Sequence, residues 1–245
     1  MKNREINEGR AFYYAFFSKL FTFTYDKDRF KNIKESADIL YQFALEENSK
    51  KALKHFINNY DEKTLKNEFD EIFYDLSKDP VPTTASFYDE EIENGKMKLK
   101  MIELVLSSKF RKNEKYTESE DDIGFIFSFL YYLITEKLKG DEKSEWLEKK
   151  VFDVLNIFID DFIENVYMHS ASNLYKDIVV VLKAFIESER IFYEKPKPKI
   201  EKLQKAPIKN IADEEAEIRK KNKQKKNEDL LSCNLEEGGD VEDEV

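Results

Sequence analysis

Apolar residues recur at three- and four-residue spacing along most of this chain, the period of a helix face and not the alternation of a strand. Phe12, Phe16, Leu20 and Phe23, with Tyr13, Phe17 and Phe21 beside them, set the pattern over 10–23. A helix starting near Asp28 repeats it with Phe30, Ile33, Ala37, Leu40, Tyr41, Ala44 and Leu45. A short helix with Leu53, Phe56 and Ile57 follows, and then one with Leu65, Phe69, Ile72, Phe73 and Leu76. Pro80 and Pro82 forbid its continuation. Six glycines and five prolines leave little material for a turn-rich β-architecture. The period predicts an all-α protein, a single globular helical domain of about eight to ten helices over residues 1–194 with a central hinge.

The period resumes in Met97, Met101, Ile102, Val105 and Leu106, then in Ile123, Ile126, Phe127, Leu130, Leu133 and Ile134. A long helix around Trp146–Val166 and a last one around Leu174–Phe192 complete the series. From Lys195 the composition changes. Residues 195–226 carry twelve basic and five acidic residues, and 227–245 carry eight acidic and none basic. Such a charged stretch without apolar periodicity reads as a disordered tail over 195–245.

Between the helical patterns ending near Phe110 and starting near Asp121 lies a polar connection, a hinge over about 111–121. It closes on Glu118, Glu120, Asp121 and Asp122, which run directly into an aromatic-rich apolar helix. An acidic rim beside an apolar face suits a ligand that is cationic at one end and apolar at the other. The same acids have a plainer use. Ser119 and Asp122 stand in the spacing of a capping-box variant, so the helix is expected to begin within Ser119–Asp122. Each carboxylate has oxygens enough for both duties. Upstream, Phe87 and Tyr88 stand beside Asp89, Glu90 and Glu91, and these two aromatics fit core packing as well as ligand contact.

Little else carries chemistry. His55 and His169 are the only histidines, with no metal-binding spacing, and His169 is placed to meet terminal carbonyls at a helix end. Cys233 is the single cysteine, and no phosphate-cradling or nucleophile-elbow motif occurs. The pairs Asp121–Asp122 and Asp160–Asp161 could do acid–base work, but nothing in the sequence supplies a raised pKa or a nucleophile. A non-enzyme without cofactor or metal is expected. The net charge of −10 opposes nucleic-acid binding. The longest apolar run, Ile123–Ile134, falls short of the roughly twenty residues of a membrane span, and the N-terminus lacks the core of a secretory signal. A cytoplasmic protein is expected.

Three stretches in this order, RAFYYAFFSKLF, ASFYDEE before a glycine and ESEDDIGFIFSFLYYL, resemble the TorD/DmsD/NarJ family of redox-enzyme maturation chaperones over about Arg10–Tyr193. Ser119 stands where that family usually has proline, and Asp122 where it usually has histidine. The resemblance implies a cytoplasmic, non-catalytic chaperone. It would bind the twin-arginine signal peptide of a molybdenum or tungsten oxidoreductase precursor and hold the apoenzyme until cofactor insertion. The Asp-Asp variant leans toward formate dehydrogenase as client. The residues implied in peptide binding are Phe87, Tyr88, Glu90, Glu91, Glu118, Asp121, Asp122 and Phe125, with carboxylates on the arginine pair and aromatics on the apolar segment. Homodimers by domain swapping across the hinge are compatible with such a fold. The alternative is a helical adaptor that binds a folded partner through its surface or its charged tail.

Overall fold

The computed structural model describes residues 2–198 apart from Lys27 and Lys115. The tail expected to be disordered lies, from residue 199 onward, outside the described residues. Among the described residues there are nine α-helices and no strand. They are α1 (Lys2–Phe21), α2 (Ile33–Gln42), α3 (Glu47–Asn59), α4 (Glu62–Phe73), α5 (Ala85–Glu90), α6 (Lys96–Leu106), α7 (Ile123–Leu138), α8 (Glu142–Met168) and α9 (Leu174–Tyr193). The all-α class follows from the apolar period.

Local chemistry sets several helix starts. Asp61 accepts from the Thr64 amide at 2.8 Å to open α4, and Asp141 accepts from Ser144 at 3.2 Å to open α8. The cap of α9 comes from another helix. Its N-cap residue Asn173 makes no side-chain cap, and the buried Glu68 of α4 accepts the amides of Asn173, Leu174 and Tyr175 at 3.0, 3.1 and 3.1 Å. Three helices end before the apolar pattern does, α1 at Phe21, α2 at Gln42 and α4 at Phe73, and two starts also differ from it. Helix α1 begins at Lys2, because polar turns held by pairs such as Arg4–Glu8 at 2.9 Å leave no apolar trace. Helix α2 begins at Ile33, not near Asp28, because Asn32 takes a left-handed backbone at φ 63° and breaks the helix there.

The core is built from rings. Helix α1 lies along α7, α3 packs on α9, and α7 packs on α8. Phe17 and Phe21 of α1 meet Phe127 of α7 at ring-centroid distances of 5.7 and 5.9 Å. Phe21 also meets Phe162 of α8 at 5.3 Å and Tyr175 of α9 at 5.7 Å, so one side chain joins four helices. At the end of α1 the approach to α7 is closer still. A Cβ on Gly124 would stand 2.7 Å from the backbone of Thr22, so only glycine fits at this crossing. Beyond α9 the chain lies against α8, with Asn156 donating to the Pro196 carbonyl at 3.1 Å and Lys195 and Lys197 pairing with Asp153 and Asp160 at 2.8 and 3.3 Å.

Candidate functional site

The proline-rich break after α4 builds the floor of a groove. Pro80 and Pro82 keep the chain out of helix over 79–84, after Asp79 turns it with a left-handed backbone at φ 55°. The Val81 amide donates to Ile72, the Thr83 carbonyl accepts from Ile123, and the Ala85 amide donates to Asp121, at 2.8, 2.9 and 2.9 Å. One wall is the end of α4 and the turn after it, with Phe73, Tyr74 and Leu76, continued by Lys112, Thr117, Glu118 and Ser119 of the connection between α6 and α7. Phe87 of α5 and Glu93, Asn94 and Lys98 around the start of α6 complete the lining. The groove encloses about 550 Å³.

Two of the eight residues implied in binding line it. Phe87 is 37 % exposed, and Glu118, partly exposed, accepts from the Thr117 hydroxyl at 3.2 Å. The others lie elsewhere. Tyr88 turns toward α8, stacking on Phe158 at 5.4 Å, with its hydroxyl donating to the Pro82 carbonyl at 3.0 Å and accepting from Asn165 at 3.3 Å. Glu90 accepts the Lys96 amide at 2.9 Å and closes the turn into α6. Glu91 is exposed and ends α5 with a left-handed backbone at φ 56°. Phe125 is 4 % exposed and packs on Phe110 and Tyr116 at 5.7 and 5.6 Å, in the core and not on an exposed helix edge.

Asp121 and Asp122 are 0 % and 2 % exposed, and their oxygens are occupied by the protein's own donors. Asp121 accepts the Ser86 amide at 2.9 Å and the Ser119 hydroxyl, which fixes the start of α5. Asp122, the N-cap of α7, accepts Gly124 and Phe125 amides at 2.9 and 3.3 Å and the Tyr116 hydroxyl at 2.9 Å. The predicted capping box is not the form taken. Asp122 caps the helix itself while Ser119 serves Asp121.

Burial also changes the chemistry of Asp122. Desolvation raises its pKa to about 6, against hydrogen bonds from Thr83, Tyr116 and Phe125 that lower it, and with the charge of Glu118 adding to the rise. A raised folded-state pKa means that stability from this group is present at low pH and is lost as pH rises through about 6. Asp122→Asn keeps an oxygen acceptor for the cap and removes the titration. Relative to the native protein it should gain stability between pH 4 and pH 7, by up to about 3 kcal/mol. Urea titrations at several pH values check this, and parallel stability curves would refute it.

Tyr74, Leu76, Glu93, Lys98 and Lys112 join the groove with no sequence signal of their own. Leu76 had the spacing of a core position, yet it sits in a 3₁₀ turn and is 88 % exposed. Both lysines are engaged. Lys98 donates to Asn94 at 2.5 Å, and Lys112 donates to the Glu118 carbonyl at 2.5 Å and to Glu120 at 3.3 Å. The floor's two prolines have no amide to donate. Glu93 and Glu118 are matched in number by Lys98 and Lys112, so the lining offers paired charges, hydroxyls and aromatic surface, which fits a ligand that is charged over one part and apolar along another.

Elsewhere, His169 ends α8 and its Nε2 lies 2.8 Å from the Lys78 carbonyl of the 3₁₀ turn, not on a carbonyl of its own helix. Among the described residues no group of three or more histidine, cysteine and carboxylate side chains is arranged to hold a metal, and no helix is long and apolar enough to cross a membrane.

The family described as the nitrate reductase delta subunit matches residues 44–169, just over half of the chain. That span runs from the end of α2 to the end of α8 and contains the whole groove. No curated protein and no solved structure matches the chain.

Proposed function

The chain belongs to the nitrate reductase delta subunit family, the NarJ/TorD-type maturation chaperones, and on that premise we propose that it binds the twin-arginine signal peptide of a molybdenum or tungsten oxidoreductase precursor in the groove described above. It acts in the cytoplasm, holding the apoenzyme until cofactor insertion and before export, and catalyses no reaction itself. Formate dehydrogenase is the first client to test.

The observation that carries this reading is that the carboxylates Glu93 and Glu118 and the aromatics Tyr74 and Phe87 line one groove. Glu118 and Glu93 accept the guanidinium pair, whose planar donors match carboxylates in bidentate fashion. Tyr74, Leu76 and Phe87 cover the apolar segment that follows. Asp121, Asp122 and Phe125 are buried beneath the elements that carry the groove, and Glu90 closes the turn that leads into its Lys98 side.

The test is a titration of a synthetic peptide, an arginine pair followed by an apolar run, against the native chain and the Glu93→Gln/Glu118→Gln variant. Loss of two charge-assisted contacts at a partly solvated site should weaken binding about tenfold to a hundredfold with the melting temperature unchanged. Changing the peptide's arginines to lysines should weaken it comparably. A client pull-down from source cells complements this. Recovery of an uncleaved precursor supports the chaperone, and recovery of only mature proteins moves the function to a helical adaptor.

A further inference from the structure

The connection from Ser107 to Glu120 contributes Lys112, Thr117, Glu118 and Ser119 to the groove, yet its described residues have no regular structure to hold their shape. Two aromatic residues fasten it. Phe110 packs on Phe129 and Tyr132 of α7 at 5.2 and 5.0 Å. Tyr116 lays its ring on Phe125 at 5.6 Å and donates its hydroxyl to Asp122 at 2.9 Å. The same carboxyl caps α7 and is reached by the hydroxyl of Thr83 in the groove floor. Floor, helix and wall thus meet at one buried group, and Glu118, two residues beyond Tyr116, takes its place in the wall from that anchor.

We propose that Tyr116 is the positioning residue of the groove: its hydroxyl on Asp122 holds the connection so that Glu118 faces the bound peptide. The proposal rests on the peptide-binding reading and names the residue that sets its geometry. Tyr116 lies outside the groove lining, so its effect on a ligand passes through Glu118.

A consequence separates positioning from simple packing. The charged and titratable groups around Asp122 are Glu118 and Tyr116 of the connection, Tyr74 at the end of α4, and the adjacent Asp121. A guanidinium on Glu118 relieves the like-charge pressure on Asp122, so peptide binding releases a proton and affinity rises with pH through about 6. Removing the Tyr116 hydroxyl takes away a hydrogen bond that lowers the Asp122 pKa, and the rise then moves to higher pH.

The experiment compares the full native chain with Tyr116→Phe, using the labelled arginine-pair peptide from pH 5 to pH 8, together with amide exchange over residues 107–120. Tyr116→Phe keeps the ring contact and removes only the hydroxyl. The expected result is about tenfold weaker binding, an upward shift of the pH midpoint, faster exchange in the connection and a nearly unchanged melting temperature. Equal affinity and equal exchange overturn the proposal, and so does an affinity loss that is the same at every pH and tracks a loss of thermal stability. If the native chain fails to bind the peptide, the peptide-binding reading falls. The exchange data then still decide the anchor: unchanged exchange overturns it, and faster exchange in Tyr116→Phe establishes that the hydroxyl holds this wall.

Discussion

Arg10→Met should cost about 3–5 kcal/mol and lower the melting temperature by about 10 °C, the largest loss expected from a single polar substitution in this protein. The guanidinium is buried where α1 meets α8 and α9. It contacts Glu189 at 2.5 and 2.7 Å, lies 2.7 Å from Glu148, donates to Tyr193 at 2.5 Å and stacks on Phe192 at 3.8 Å. Burial alone would lower its pKa, but the Glu189 hydrogen bond and the charges of Glu189 and Glu148 outweigh that and hold it far above the ordinary arginine value. Both glutamates are fully buried. Lys137 also pairs with Glu148 at 2.6 Å, and the Tyr14 and Tyr193 hydroxyls donate to Glu189 and Glu148. Methionine fills the arginine's volume but leaves Glu189 without its cation, and an unpaired buried charge is far more costly than the absence of the pair. Arg10→Met/Glu189→Leu removes one charge of each sign and should recover part of the loss. Calorimetry on the two variants checks the claim; a loss below about 1 kcal/mol for the single variant would mean that water reaches the network.

Phe125→Ala and Phe87→Ala should give opposite phenotypes. Phe125 is enclosed by Phe110, Tyr116 and Phe129 at 5.7, 5.6 and 6.4 Å, so its truncation should cost about 3–5 kcal/mol and loosen the groove wall that those rings fasten. Phe87 stands partly exposed in the groove, so its truncation should cost under about 1 kcal/mol of stability and weaken peptide binding about tenfold. Equilibrium unfolding and peptide titration, run on both variants, decide it. If Phe87→Ala destabilised as much as Phe125→Ala, its ring would belong to the core and the groove would lose its aromatic wall.

These two phenylalanines mark where the sequence runs out. Both sit among aromatic and acidic neighbours, Phe125 three residues after an acidic run and Phe87 two residues before one. Nothing in either local pattern separates a ring on the core face from a ring on the groove face. The same holds for the carboxylates. Glu118 and Asp122 are four residues apart, yet one lines the groove and the other is buried under it. The cap was legible as a role for the acidic run, but which residue takes it depends on the Asp122 backbone, extended at φ −66° and ψ 139°.

Helix period, proline geometry and motif order are properties of near neighbours in the chain, and they suffice for the all-α class, the order of the apolar helices, the break at Pro80 and Pro82 and the family to which the chain belongs. Long-range packing is what makes Glu68 of α4 cap α9, brings Arg10 to Glu148 and Glu189, and puts Glu93 and Glu118 in a groove from which Asp121 and Asp122 are withheld. Those outcomes depend on which distant backbone amides, rings and charges the packed helices bring within a few ångströms of one another, and a carboxylate's local spacing carries no record of whether its partner will be water, a ligand or a helix end elsewhere in the fold.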